Sequence, residues 1–300
     1  MKYLCLADLH LTGNKPECRI DEEDWMGVLE DKIQFIAQKA RGVDALLIAG
    51  DIFDSWRNTN FDFVNQCIVW FRHLKDQTRQ KMIYSIAGNH DCPHHSYEAV
   101  EINRSPYMTL VHAGILHDVK LNPMPDMDVY CYTDTCILAE SAASICVAHK
   151  GLYQTAKPFP GAPESGNVEV FVKNLPSNIR YVVSGDYHTP FHQKVGNVDV
   201  INCGSLLRRR ADQINYQPVL WILDTDAEEI SQEPIPLRNK IRRDYIDNEN
   251  AREDMLNEII GSVDGDFEVT LNYRDNFIRM AQELPDAKRM IALFERMAGL

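Results

Sequence analysis

Ala45-Leu46-Leu47-Ile48-Ala49-Gly50-Asp51-Ile52-Phe53-Asp54, or ALLIAGDIFD, is the stretch on which the fold turns. Five consecutive apolar residues read as a buried strand, and the strand ends abruptly in a glycine and a carboxylate. On either side the pattern repeats. Lys2 to Ala7 (KYLCLA) is another short apolar run, and it stops at Asp8. Asp21 to Val43 then carries Trp25, Val28, Leu29, Ile33, Ile36 and Ala40 at helical spacing, with Asp21 as N-cap and Gly42 as stop. Phe61, Val64, Ile68, Phe71 and Leu74 mark a second helix, and Lys81 to Ala87 (KMIYSIA) a third strand. Strands alternating with helices of this length predict a layered α/β fold that begins with a largely parallel sheet.

From Met108 the pattern changes. The runs MTLVHAG, VYCYTD, SICVAHKG, YVVSGD, VDVINCG and PVLWILD follow with fewer helices between them, and they predict a second sheet packed on the first. Gly151 to Gly166 reads as a long loop, a kind of segment that often serves function. After Leu237 the sequence turns charged and helical with one strand-like run, which predicts a domain over 1–237 and a small C-terminal α+β module over 238–300.

The 300 residues are 45% hydrophobic and 25% charged, a globular composition. A net charge of -13 argues against coating nucleic acid by bulk electrostatics, although carboxylates gathered around bound cations inflate such a count. Eight cysteines without a CxxC pair read as buried thiols of a reducing compartment, the cytoplasm. The start MKYLCLADLH holds too short an apolar run for a signal peptide. No run reaches the roughly 18–20 apolar residues that span a bilayer, so no membrane partner is expected.

Each early strand ends in the same kind of chemistry: Asp8-Leu9-His10, then Gly50-Asp51 with Asp54, then Gly88-Asn89-His90-Asp91. His149 closes SICVA, and Asp186 and His188 follow YVVS. The carboxyl ends of strands are where ligands bind in open α/β sheets, so these side chains are expected to converge.

DLH, GDIFD, GNHD, the strand-terminal His149 and GDYH, in that order, resemble the signature of the calcineurin-like binuclear metallophosphoesterases over roughly Met1 to Asp224. The GDIFD form and Cys203-Gly204-Ser205-Leu206 before PVLWIL are similar to the DNA-repair nuclease branch, the SbcD-like proteins. The resemblance implies an α/β/β/α sandwich and two divalent cations. Asp8, His10, Asp51 and His188 would hold one, and Asp51, Asn89, His149 and Asp186 the other, with Asp51 bridging. Manganese is the expected metal, with magnesium, iron or zinc as alternatives, and the pair would activate a hydroxide for attack on phosphorus. His90 would contact the phosphate or protonate the leaving oxygen. Asp91 would orient that imidazole, or simply cap the chain before Pro93.

One position departs from the family, which generally has histidine where Asp186 stands. Either aspartate ligates through oxygen with an altered metal preference, or the second site is impaired. Arg208, Arg209 and Arg210 are candidates for a groove that neutralises a nucleic-acid backbone, against a solvated turn. The expected function is a metal-dependent DNA exo- or endonuclease. The alternatives are a phosphodiesterase or phosphatase on a nucleotide or other small ester, and a catalytically weak structural subunit. The resemblance implies DNA and a coiled-coil ATPase as partners, and the C-terminal stretch could instead pair with a second copy.

Overall fold

The structure is a computed structural model that describes residues 1–57, 60–93, 103–130, 143–155, 157–158 and 162–237. The chain divides into two units, Met1–Arg242 and Arg243–Leu300, and the fold below is that of the first. The C-terminal module expected over 238–300 lies outside the described residues.

Strand β1 (Lys2–Leu6) shows why the early strands are apolar throughout. Side chains alternate along a strand, and both faces are covered. Leu4 and Leu6 enter a core shared with helices, whereas Tyr3, Cys5 and Ala7 enter a core between two sheets. Helix α1 (Trp25–Ala40) lays Val28, Leu29, Ile33 and Ile36 on the first of these cores. Its cap is Asp24, whose carboxylate accepts the Gly27 N–H, and not Asp21. The shift follows from where the buried face starts, at Trp25. Next come β2 (Ala45–Ala49), α2 (Phe61–Gln77) capped by Asn60, and β3 (Ile83–Ile86).

The run MTLVHAG, expected as a strand, lies largely in helix α3 (Pro106–His112). Ser105 accepts the Met108 N–H, Pro106 opens the first turn, and Gly114 at φ +66° follows the helix end. These local signals override an apolar run too short to show its period. β4 (His117–Asp118), β5 (Met127–Tyr130) and β6 (Ile145–His149) follow. Helix α4 (Val168–Lys173) precedes β7 (Tyr181–Gly185), β8 (Phe191–Val195), β9 (Val198–Asn202), β10 (Val219–Asp224) and β11 (Glu229–Pro234).

The first sheet has the order β11-β10-β1-β2-β3-β4 and the second β5-β6-β7-β9-β8. β1 to β4 run parallel, as do β5, β6, β7 and β9. PVLWILD, expected in the second sheet, is β10 and pairs antiparallel with β1, Leu4 opposite Ile222. Strand pairing across some 200 residues leaves no local trace in sequence. Helices α1 to α3 cover the outer face of the first sheet, and Val168 and Phe171 of α4 cover the second beside Val182 and Val200. The layers are therefore α/β/β/α. The Gly151 to Gly166 segment includes a short 3-10 turn at Glu164–Gly166, and Tyr153 forms a bridge with Asn167. Six described cysteines are buried, and none of them forms a disulfide among the described residues. Among the described residues no helix is long and apolar enough to cross a membrane.

Candidate metal centre

The parallel strands of both sheets deliver their carboxyl ends to one place. The turns that do so are tight. Asp8 (φ +49°), His10 (+43°), Asp51 (+51°) and Asp186 (+82°) are four of the six non-glycine residues with positive φ among the described residues. Such backbone costs on the order of 1–3 kcal/mol each and gathers where function requires it. Gly50 (φ +91°) leaves room for the His149 ring, which a Cβ there would strike, and a Cβ on Gly88 would strike the Asp51 carboxylate. The glycines of GDIFD and GNHD are thus clearance for neighbouring side chains.

Asp8, His10, Asp51 and His149 are almost wholly buried. Three overlapping groups bring one donor atom each within 4.8 Å of one another: Asp8 with His10 and His188, His10 with Asp51 and His90, and Asp8 with Asp51 and His149. Asp51 turns Oδ2 to His10 Nε2 at 3.6 Å and Oδ1 to His149 Nε2 at 3.4 Å. One carboxylate therefore serves both halves. The Nε2 atoms of His10 and His188 face each other at 3.1 Å. That spacing suits two neighbouring donors on one cation, whose bonds to imidazole run about 2.0–2.1 Å.

His149 supplies a test of whether cations fit. Its Nδ1–H donates to the Ala49 carbonyl at 2.8 Å, which leaves Nε2 facing Asn89 Oδ1 at 2.8 Å and Asp51 Oδ1. A lone pair among acceptor oxygens requires a proton or a cation in their midst. Burial lowers the His149 pKa, but the charge and hydrogen bond of Asp51, then Asp186 and Asp8, raise it well above the usual range. Burial raises Asp51, and His149 and then His10 outweigh it to hold that carboxyl below its usual range. The Asp8 carboxyl is driven well up, by burial first, with His149 opposing and Asp51 adding. His10 and His188 are both lowered, chiefly by burial, so their rings stay neutral and keep lone pairs. The pocket is short of positive charge and lined with donors. A set of carboxylate, amide oxygen and imidazole suits manganese, iron or zinc better than calcium.

Asp186 stands apart. Its N–H donates to both oxygens of Asp8 at 3.0 Å, while its carboxylate joins none of the three groups and faces Gly151. Asp91 does not orient His90. Its buried carboxylate accepts the N–H groups of Ile52, Phe53 and Gly88 at 2.9–3.1 Å, tying the second motif to the third, and burial raises it to about 7. The His90 Nδ1–H goes instead to the Asp54 carbonyl at 2.8 Å. The arginine run divides three ways. Arg208 is buried with Nη1 on the Ile214 carbonyl at 2.7 Å, which removes it from a substrate groove. Arg210 is exposed, and Arg209 pairs with Asp54. The carbonyls of Ala49 and Asp54 were not foreseeable, because main-chain groups carry no residue-type signal.

A four-layer sandwich with a buried mixed-donor centre at the carboxyl ends of both sheets defines a class of metal-dependent phosphoester enzymes. The model of the calcineurin-like phosphoesterase family matches residues 1–204, and the chain belongs to that family. The chain is 27% identical over 249 residues to the DNA double-strand break repair protein Mre11 of Methanosarcina mazei, covering 80% of this chain and 39% of that protein. It is 31% identical over 93 residues to the UDP-2,3-diacylglucosamine hydrolase of Vibrio parahaemolyticus, covering 30% of this chain and 34% of that enzyme. Among solved structures it is similar to a dimetal phosphatase from Danio rerio, with TM-score 0.47, 9% identity, 78% of this chain and 95% of that one covered. The chain spans well under half the length of these two curated relatives.

Proposed function

We propose that the protein is a metal-dependent phosphodiesterase that cleaves DNA, of the DNA-repair nuclease kind. The observation that carries this reading is the reach of the Mre11 likeness over 80% of the chain, where the UDP-2,3-diacylglucosamine hydrolase likeness reaches 30%. Asp8, His10, Asp51 and His188 would hold one cation, and Asp51, Asn89 and His149 a second. Divalent cations there would supply Lewis acidity toward phosphoryl oxygens and bring the pKa of a water toward neutrality.

His90 meets the substrate. Its side chain is 40% exposed where those of His10 and His149 are 1% and 0% exposed. With Nδ1–H on the Asp54 carbonyl, Nε2 is the nitrogen left to meet phosphate or deliver a proton to the leaving oxygen. The same reading extends to manganese as the working metal and to a coiled-coil ATPase as partner.

The second reading, hydrolysis of a small phosphoester, is favoured by the 93-residue likeness to the UDP-2,3-diacylglucosamine hydrolases. Purified protein incubated with single- and double-stranded DNA and with cyclic and linear nucleotides, across manganese, magnesium and zinc, separates the two. Manganese-dependent loss of DNA is expected. Cleavage of small esters alone would move the assignment to the second reading.

A further inference from the structure

Arg209 lies outside the donor groups, yet its side chain ends against them. Nη1 is 2.5 Å from Asp54 Oδ1, and that same oxygen stands 3.7 Å from His10 Nδ1 and 4.0 Å from His90 Nδ1. Asp54 therefore sits behind both rings. His10 directs its other nitrogen, Nε2, toward His188 and Asp51. His10 Nδ1 is buried and makes no hydrogen bond, a state that folded proteins rarely leave uncompensated.

An imidazole that holds a metal nearly always passes its second N–H to a carboxylate or carbonyl, and that partner fixes tautomer and ring orientation. Asp54 is the carboxylate placed for His10, and Arg209 is what grips it. Arg209 is itself held from both sides. Its N–H donates to Gln213 Oε1 at 2.6 Å, and its carbonyl accepts from Cys18 Sγ at 3.1 Å. Just upstream, Ser205 N–H donates to the His188 carbonyl and Leu206 N–H to the Asp8 carbonyl. The loop that leans on two donor residues thus delivers one guanidinium behind a third. Of the neighbouring arginines, Arg208 donates to the Ile214 carbonyl and Arg210 is exposed.

We infer that Arg209 is a positioning residue of this centre that acts through Asp54, holding the carboxylate behind His10 so that the ring keeps Nδ1–H outward and the Nε2 lone pair inward. The inference rests on the phosphoesterase reading of the site, but its test does not depend on turnover alone. The contact uses a single Nη1, so a lysine should replace it in part, where a neutral side chain should not.

The full-length chain and its Arg209→Gln, Arg209→Lys, Asp54→Asn and Asp54→Asn/Arg209→Gln variants are compared in three measurements. Manganese affinity is titrated on metal-free protein. The His10 tautomer is read by nitrogen-15 NMR of the metal-free protein. Turnover is followed on a small chromogenic phosphodiester. Arg209→Gln should weaken manganese binding by roughly 10- to 100-fold, the usual cost of losing an outer partner. His10 should pass from one tautomer to a mixture, and kcat should fall while KM changes by less than about twofold. Arg209→Lys should recover most of the loss, and the double variant should be no worse than Asp54→Asn alone. Unchanged manganese affinity and an unchanged His10 tautomer in Arg209→Gln would overturn the inference, as would a loss confined to KM or additive losses in the double variant. Thermal melts of each variant exclude misfolding as the cause. If the unsubstituted chain cleaves no phosphoester at all, the functional reading fails while the metal and NMR measurements still decide this one.

Discussion

Asp8-Leu9-His10 and Asp186-Tyr187-His188 are the same motif at the ends of two parallel strands, one in each sheet. Both begin on an aspartate with positive φ, and the two histidines meet through Nε2 at 3.1 Å. Yet the aspartates differ. Asp8 is buried and its carboxylate belongs to two of the three donor groups, whereas Asp186 is half-buried and belongs to none. The intervening residue shows why. Leu9 is wholly buried in the helix-side core and clamps its turn, while Tyr187 is half-buried and tilts against Phe191. Equal spacing therefore does not give equal roles. What decides is the packing of the residue between and the resulting turn.

The largest effect that could break this comparison is expected at Asp8. Asp8→Ala should lower phosphodiester hydrolysis by more than the roughly 100-fold typical of losing an outer partner, with measured metal content falling in parallel. Near-native turnover in a folded Asp8→Ala protein would show that the buried motif is not the working one. Next in size is His90→Ala. Proton delivery is worth about 10²–10⁴ in rate, so kcat should fall within that range while both cations remain bound. Metal loss in that variant would instead assign His90 to the donor set beside His10 and Asp51.

Much of the centre was legible because Asp8, His10, Asp51, His149 and His188 each sit flush against an apolar run, and chain direction alone puts such residues together. The same reasoning gave strands β1 to β3 and helices α1 and α2. It missed what depends on three dimensions. The helical state of MTLVHAG hangs on Ser105 and Pro106, outside the apolar run that was read. The placement of PVLWILD depends on pairing with a strand at the opposite end of the sequence. Three consecutive arginines look alike on paper, and only the fold sends one inward to Ile214 and another to Asp54.

Metal removal should have a smaller effect, read as stability. The centre holds buried carboxylates of like charge, Asp8 and Asp51, and the Asp51 charge adds to burial in raising the cost of ionising Asp8. Divalent cations relieve that repulsion, and a ligand at 100 times its dissociation constant stabilises by about 2.7 kcal/mol. Chelator should therefore lower the melting temperature by several degrees, and added manganese should restore it. Asp8→Ala should blunt this response. A melting temperature indifferent to chelator would mean that the pocket's charge is balanced without cations.

The smallest effect is expected at Asp186, and it is the most direct test of what separates the two motifs. What Asp186 gives to the centre in this structure is its backbone N–H, which donates to both Asp8 oxygens at 3.0 Å, and a side-chain substitution leaves that donor in place. The carboxylate contributes charge at a distance, one of several that raise His149, where Asp51 ranks first among the partners. A Cβ on Gly151 would sit 3.0 Å from Asp186 Oδ2. Asp186→Ala should then cost less than about 10-fold in turnover, below the range for an outer partner of a metal-held group, and leave two cations per chain by elemental analysis. Measured against Asp8→Ala in one preparation, the ratio of the two losses reports the asymmetry itself. Should Asp186→Ala empty one site as thoroughly as Asp8→Ala does, its carboxylate must swing inward when cations bind, and the two motifs would be equivalent after all.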